Sequence, residues 1–255
     1  MTGMRSSEDM WRQRTWLLVA LTAAVALAMA LIKPIPQPLA YHAFHDARGF
    51  LGIPNFLNVV SNLPFLIIGM MGLAWLRSTA ATALDPELRA PYALVFAALA
   101  LTAAGSAYYH WAPDNNTLIW DRLPIAVSFM ALFAAILAER VTLKAGRLLV
   151  PLALLGAASV GYWHLTDDLR PYLLAQFLPV LMIPIILWLY PARYSHGRDF
   201  LISIGFYAAA KLAEFLDGQI YGVLGSVSGH TLKHLIAAGG TYWIYRMLVQ
   251  REHLA

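Results

Sequence analysis

Eight long apolar stretches divide the chain and constrain its fold more than any other feature. A helix that crosses about 30 Å of hydrocarbon needs roughly 20 mostly apolar residues. The predicted membrane-spanning helices cover residues 16–32, 56–76, 92–110, 118–138, 148–164, 171–190, 200–217 and 230–248. The connections between them are short, and none is long enough to fold alone. The sequence therefore predicts a single all-α integral membrane domain over residues 1–255.

Composition excludes most other classes of protein. The chain is 60% hydrophobic and only 13% charged, whereas soluble globular domains are about a quarter charged. A net charge of +4 is too small to indicate a nucleic-acid partner. Because the chain has no cysteine, a bound metal ion would need histidine or carboxylate ligands.

The lysine and arginine residues are distributed unevenly over the predicted connections. Twelve lie on one side of the membrane: Arg5, Arg12, Arg14, Arg77, Arg89, Arg140, Lys144, Arg147, Arg193, Arg198, Arg246 and Arg251. The opposite connections hold three, namely Lys33, Arg48 and Arg170. By the positive-inside rule the richer side is cytoplasmic, and both termini lie there. We expect a multi-pass protein of a bacterial inner membrane whose first span is retained rather than cleaved as a signal sequence.

Six of the eight histidines fall at the outer ends of the predicted spans or in the outer loops. These are His42, His45, His110, His164, His230 and His234. Their placement is informative because no histidine entered the charge count that gave the orientation. Ionisable groups near the membrane interior are costly, and they usually serve a function or pair with one another.

Three of these histidines have the spacing of a metal site. His230 and His234 lie four positions apart, on one face of a helix that Ser228 is predicted to cap. His110 ends the third predicted span and shares their leaflet. Three histidine nitrogens with one open position form a typical catalytic zinc site. The alternative for the pair at 230 and 234 is interfacial histidines bonded to the backbone.

Ser106 and Asp121 are predicted to lie in the same leaflet. Ser106 is one helical turn before His110, and Asp121 opens the fourth span. A carboxylate beside a metal can orient or deprotonate a water molecule. The alternative for Asp121 is an ion pair with Arg122 or Lys233. The alternative for Ser106 is a hydroxyl bonded to its own helix.

Two polar stripes face the same leaflet. Their residues are candidates for hydrogen bonds that hold the predicted metal ligands in place. The second span begins with Asn55, Asn58, Ser61 and Asn62, and the seventh ends with Lys211, Glu214 and Asp217. As functional groups, Asn58, Asn62, Glu214 and Asp217 would hold the ligating histidines. As structural groups, they would form hydrogen bonds between helices and a buried ion-pair ladder. His164 is predicted to be interfacial.

The ordered set of motifs resembles the alkaline ceramidase family. The resemblance is carried by the segments Gly105–His110, Asp121–Pro124 and His230–His234, together with Phe56–Leu63, and it extends over residues 46–248. The family belongs to a superfamily of seven-span membrane hydrolases that includes the adiponectin receptors. The resemblance implies a seven-helix core in spans two to eight, with residues 1–45 forming an N-terminal tail, an extra helix and an outer loop.

The resemblance also implies a function. Zn²⁺ would be held by His110, His230 and His234, with Asp121 and Ser106 as catalytic residues. The family reaction is hydrolysis of the amide bond of ceramide, which gives a sphingoid base and a fatty acid.

Two departures from the family pattern bear on ligands. The family's acidic calcium-binding motif has no clean counterpart around Tyr41 to Asp46, and Asn55 stands where the resemblance leads us to expect glutamate. Binding of Ca²⁺ is therefore doubtful. Arg122 replaces an acidic residue, which could change the head-group preference.

The sequence thus predicts a zinc-dependent membrane hydrolase that takes ceramide or a ceramide-like lipid from the bilayer. Three alternatives remain. The chain could be a lipid-sensing receptor or a transporter of the same fold without turnover, or it could hydrolyse another lipid amide or ester. A haem-binding electron carrier ranks last, because it would need a second histidine pair near the inner face.

Overall fold

The computed structural model describes residues 7–254, and this part of the chain is helical. Arg5, which contributed to the predicted orientation, lies outside the described residues. The α-helices are α1 (Ser7–Leu31), α2 (Phe56–Val60), α3 (Leu63–Arg77), α4 (Pro86–Trp111), α5 (Asn115–Arg140), α6 (Leu149–Thr166), α7 (Arg170–Leu189), α8 (Asp199–Phe215), α9 (Asp217–Leu224) and α10 (Gly229–Gln250). Short 3-10 turns cover Leu39–His42, Thr79–Ala83 and Leu143–Leu148.

Six segments of the described chain are long and apolar enough to cross a membrane. They are Glu8–Leu31, Phe56–Arg77, Pro86–Trp111, Asn115–Arg140, Leu143–Thr166 and Arg170–Leu189. The protein is therefore a multi-pass membrane protein. The two remaining predicted spans correspond to α8 and α10 and are not among the six. The 17 residues of α8 extend about 26 Å, which is short for a bilayer, and α10 contains several polar side chains.

The sequence predicted one continuous helix for the second span, but the structure divides this span into two helices. It breaks at Ser61 and Asn62, between α2 and α3. The Ser61 hydroxyl and the Asn62 amide both donate to the Asn58 carbonyl, over 3.2 and 2.8 Å, and so compete with the helical hydrogen bonds. Pro64 follows at the start of α3 and has no N–H to donate.

A second boundary also differs from the prediction. The seventh span was expected to include Asp217, but α8 ends at Phe215 and Asp217 begins the short helix α9. Leu216 between them has a non-helical backbone conformation, with φ −94° and ψ 20°. The break turns the chain at the same end of the bundle as the predicted site.

Helices α4 and α5 form the centre of the bundle. They pack closely on each other, and α5 also packs against α6 and α7, while α10 packs against α8 and α3. Helix α1 lies outside this group and contacts α7. Its contacts include a 3.1 Å hydrogen bond between the hydroxyls of Thr15 and Tyr190. Most of its side chains are exposed to the surroundings, although Leu18 is buried.

Candidate metal centre

Three histidine side chains from two helices converge on one point. The Nε2 atom of His110 lies 3.3 Å from the Nε2 atoms of both His230 and His234. All three side chains are buried. Tetrahedral ligands at the usual Zn–N distance of 2.0–2.1 Å stand about 3.3–3.4 Å apart. The spacing of these nitrogens therefore fits a metal ion, as the sequence predicted.

Local structure places the two histidines of α10. Ser228 caps α10 by accepting a hydrogen bond from the Thr231 N–H over 3.1 Å, as predicted. The helix that starts there puts His230 and His234 one turn apart. The backbone N–H of His230 donates to Asp217 Oδ1 over 2.6 Å, which ties α10 to α9.

The hydrogen bonds of Ser61 fix the tautomer of His234. The Ser61 hydroxyl donates to the Asn58 carbonyl over 3.2 Å. Its oxygen therefore accepts from His234 Nδ1, which lies 2.7 Å away. With the proton on Nδ1, the lone pair of Nε2 is directed at the other two histidines. The helix break at Ser61 thus orients one histidine of the cluster.

We expect Ser61→Ala to weaken metal binding about 10- to 100-fold, because the partner that orients His234 is lost. The matched control is Ser159→Ala, since Ser159 is also buried but bonds the Gly156 carbonyl of its own helix. Competition with a chelator measures both affinities. Equal metal affinity in the two variants would contradict this role of Ser61.

Ser106 and Asp121 face each other beside the histidines. Gly105 permits this approach, because a Cβ atom at that position would collide with the Trp120 backbone of α5. The Ser106 hydroxyl hydrogen-bonds the buried Asp121 carboxylate. Ser106 therefore does not bond only to its own helix, which was its structural alternative.

The ion pairs considered for Asp121 are not formed among the described residues. Arg122 donates to Gln37 Oε1 over 2.5 Å, and its guanidinium lies 4.3 Å from the Trp163 ring centroid. Lys233 instead pairs with Glu214 over 2.9 Å. Its ammonium also lies 3.0 Å from His230 Nε2. When that nitrogen binds an ion, it can no longer accept a hydrogen bond from Lys233, and the ion pair of Lys233 with Glu214 remains.

The residues of the two polar stripes make different contacts: some bond the histidines or the helix that carries them, and others form ion pairs. Asn58 accepts from Thr231 over 2.8 Å, which joins α2 to α10, and its carbonyl also bonds the His234 ring. Glu214 lies between Lys211 and Lys233, at 2.7 and 2.9 Å. Asp217 holds the His230 backbone. Among the described residues, the Asn62 side chain hydrogen-bonds the Asn58 and Val59 carbonyls, and it lines the cavity described next.

A mostly apolar cavity of about 210 Å³ leads away from the site into the bundle. Asp121, Lys233 and His234 line its outer end, and Ile183 and Ile244 line its far end. Along α5 it extends from Asp121 to Leu132, a rise of about 16 Å. Helices α7 and α8 both line it but touch each other at few points.

The other outer histidines are not part of the cluster. His42 bonds the Tyr109 hydroxyl over 3.0 Å and Asn115 over 2.9 Å. His45 pairs with Asp217 over 3.0 Å, and the exposed His164 stands beside Trp163. All three were predicted to lie at the outer end, and His164 was predicted to be interfacial.

The segment that would carry the calcium motif holds an internal ion pair. Two oxygens of Asp46 accept from the Arg48 guanidinium over 2.7 and 2.8 Å. These hydrogen bonds lower the pKa of Asp46 below its ordinary value. Asn55 donates to the His110 carbonyl over 2.8 Å, so it contacts the residue of α4 that belongs to the histidine cluster. The expectation about Ca²⁺ stays a prediction.

Comparison with known proteins agrees with this arrangement. The sequence model of a family described as Ceramidase matches residues 52–249, which is most of the chain and includes all three clustered histidines. A search of the curated proteins finds no match. The chain therefore belongs to the Ceramidase family.

Proposed function

We propose that this protein is a zinc-dependent membrane hydrolase that cleaves the amide bond of ceramide or a ceramide-like lipid, giving a sphingoid base and a fatty acid. The observation that carries the proposal is the buried convergence of His110, His230 and His234 beside Ser106 and Asp121, at one end of an apolar cavity. Membership of the Ceramidase family supports a lipid substrate.

The proposal includes an arrangement in the membrane. Helices α8 and α10 also cross it, so that residues 46–248 form a seven-helix core and α1 is an additional N-terminal span. The peripheral position of α1 and the close packing of α8 with α10 support this division. The lysine and arginine distribution supports cytoplasmic termini and a site near the outer leaflet.

His110, His230 and His234 would hold the zinc ion through their Nε2 atoms. When bound, zinc polarises the scissile carbonyl and activates a water molecule as the nucleophile. Asp121 accepts the proton of that water and delivers it to the leaving amine nitrogen. In the resting site, Ser106 positions the Asp121 carboxylate. During the reaction its hydroxyl rotates to donate to the developing oxyanion.

The cavity keeps bulk water away and holds an acyl chain. Its side chains are largely apolar, so the charges at the reacting end interact in a medium of low dielectric constant. The sparse contact between α7 and α8 supports sideways access for a lipid from the bilayer.

The test is hydrolysis of a panel of ceramides by the purified protein in detergent. We expect release of a sphingoid base and a fatty acid, loss of this activity with a chelator, and recovery when zinc is returned. A metal-loaded protein without turnover on any lipid amide or ester would contradict the proposal and favour a receptor or transporter. Turnover confined to other lipid amides or esters would contradict the assignment of ceramide.

A haem-binding electron carrier lacks support from the inner-face histidines. His253 pairs with Asp85 over 3.6 Å, and His196 bonds Ser195 over 2.9 Å. These contacts do not form a second histidine pair.

A further inference from the structure

The side-chain oxygen of Asn62 is a buried hydrogen-bond acceptor without a partner in the described part of the chain. Asn62 is 1% exposed and lines the cavity together with Ser106, Asp121 and His234. A buried acceptor left unsatisfied destabilises a structure, because it has given up its hydrogen bonds to water and gained none in return. Such an atom at the reacting end of a cavity indicates that a bound molecule donates a hydrogen bond to it.

The orientation of the Asn62 amide is determined by its neighbours. Its Nδ2 atom lies 2.8 Å from the Asn58 carbonyl and 3.4 Å from the Val59 carbonyl. Both carbonyls can only accept hydrogen bonds, so the NH2 group must face them. The opposite atom, Oδ1, is therefore an acceptor, because exchanging the two atoms would place one acceptor oxygen against two carbonyl acceptors.

The nearby hydroxyl groups of the cavity have already committed their protons. Ser106 donates to Asp121, and Thr102 donates to the Ala98 carbonyl over 2.9 Å. Ser61, the neighbour of Asn62, donates to the Asn58 carbonyl. No other donor of the described residues reaches Asn62 Oδ1, so a molecule bound in the cavity can supply the donor that this atom lacks.

We propose that Asn62 is a specificity-determining residue whose Oδ1 atom accepts a hydrogen bond from the N–H group of a lipid amide. This inference rests on the proposed function, because it assigns the bond type that the site selects. An ester has the same carbonyl but no N–H, and it leaves Asn62 unsatisfied. Sites built to bond a substrate N–H or O–H discriminate strongly against analogues that lack it.

The experiment measures binding without turnover. Metal-free protein, kept in chelator, is titrated with a long-chain N-alkyl amide and with the ester of identical chains, and tryptophan fluorescence reports binding. We expect the wild type to bind the amide about 10- to 100-fold more tightly than the ester. We expect Asn62→Leu to bind both with equal affinity. Equal binding of the two probes by the wild type would overturn the proposal.

Two further observations separate this role from a folding defect. Thr102→Val removes a hydroxyl from the same cavity and is expected to keep the preference for the amide, so loss of the preference in Thr102→Val would overturn the proposal. Retention of zinc binding by Asn62→Leu shows that its site is folded.

The outcome is independent of the proposed function. An amide preference in metal-free protein that shows no turnover when loaded with zinc would sustain the role of Asn62 and refute the hydrolase. Turnover of ceramide without any preference in binding would sustain the hydrolase and refute the role of Asn62.

Discussion

Asp121→Asn is expected to lower kcat for ceramide hydrolysis about 100- to 10,000-fold while the zinc content remains near one ion per chain. Asparagine keeps the size of the side chain and an oxygen that accepts from Ser106, but it cannot take a proton from water at neutral pH. Because Asp121 is not part of the cluster that would hold the metal ion, metal binding should survive the substitution. Steady-state kinetics and metal analysis of the same preparation measure the two effects.

The matched control is Asp168→Asn. Asp168 is also a buried carboxylate, but it binds Arg170 in the loop between α6 and α7, outside the cavity. The Arg170 guanidinium lowers the pKa of Asp168 to about 2, as expected for a structural ion pair. We expect this variant to retain turnover. An Asp121→Asn enzyme within tenfold of the wild type would show that another group transfers the proton.

The convergence of the three histidines could be predicted from sequence because helical periodicity and topology both act on their positions. The spacing of His230 and His234 is a local property of one helix. His110 joins them because the span lengths and the positive charges place the ends of α4 and α10 on the same side. The structure confirms that the three rings meet, although 120 residues separate His110 from His230.

The helix break at Ser61 and Asn62 was less predictable. Apolar residues flank Ser61 and Asn62 on both sides, so the mean hydropathy of the segment indicates one uninterrupted span. The break depends on side chains that bond the backbone within one turn, and on Pro64. Serine and asparagine bond in this way in some helices and face lipid or neighbouring helices in others. Their tertiary partners, such as His234, decide between these outcomes.

The exact group that supports each histidine also depends on packing across helices. Ser61 was noted in a polar stripe but was not assigned to the site, whereas Glu214 was assigned and forms ion pairs with Lys211 and Lys233. Helical spacing shows that polar residues share a face. It does not show which residue on that face reaches a histidine, because that is set by the approach of α2 to α10.

His110→Ala and His230→Ala are each expected to lose the zinc ion that the wild type binds at about one per chain. Removal of one of three protein ligands should weaken binding by well over the 10- to 100-fold typical of a supporting residue. The two substitutions lie in different helices. Loss of zinc from both variants would therefore indicate an ion that is shared by α4 and α10. Metal analysis after dialysis measures the content directly.

The control for these variants is His164→Ala, which removes an exposed histidine from the same end of the bundle. We expect it to keep the ion, because His164 lies outside the cluster. Zinc retained by either His110→Ala or His230→Ala would mean that the ion binds elsewhere. The 3.3 Å approach of the Nε2 atoms would then need another cause, since unprotonated imidazole nitrogens have no attraction for one another without a shared cation or proton.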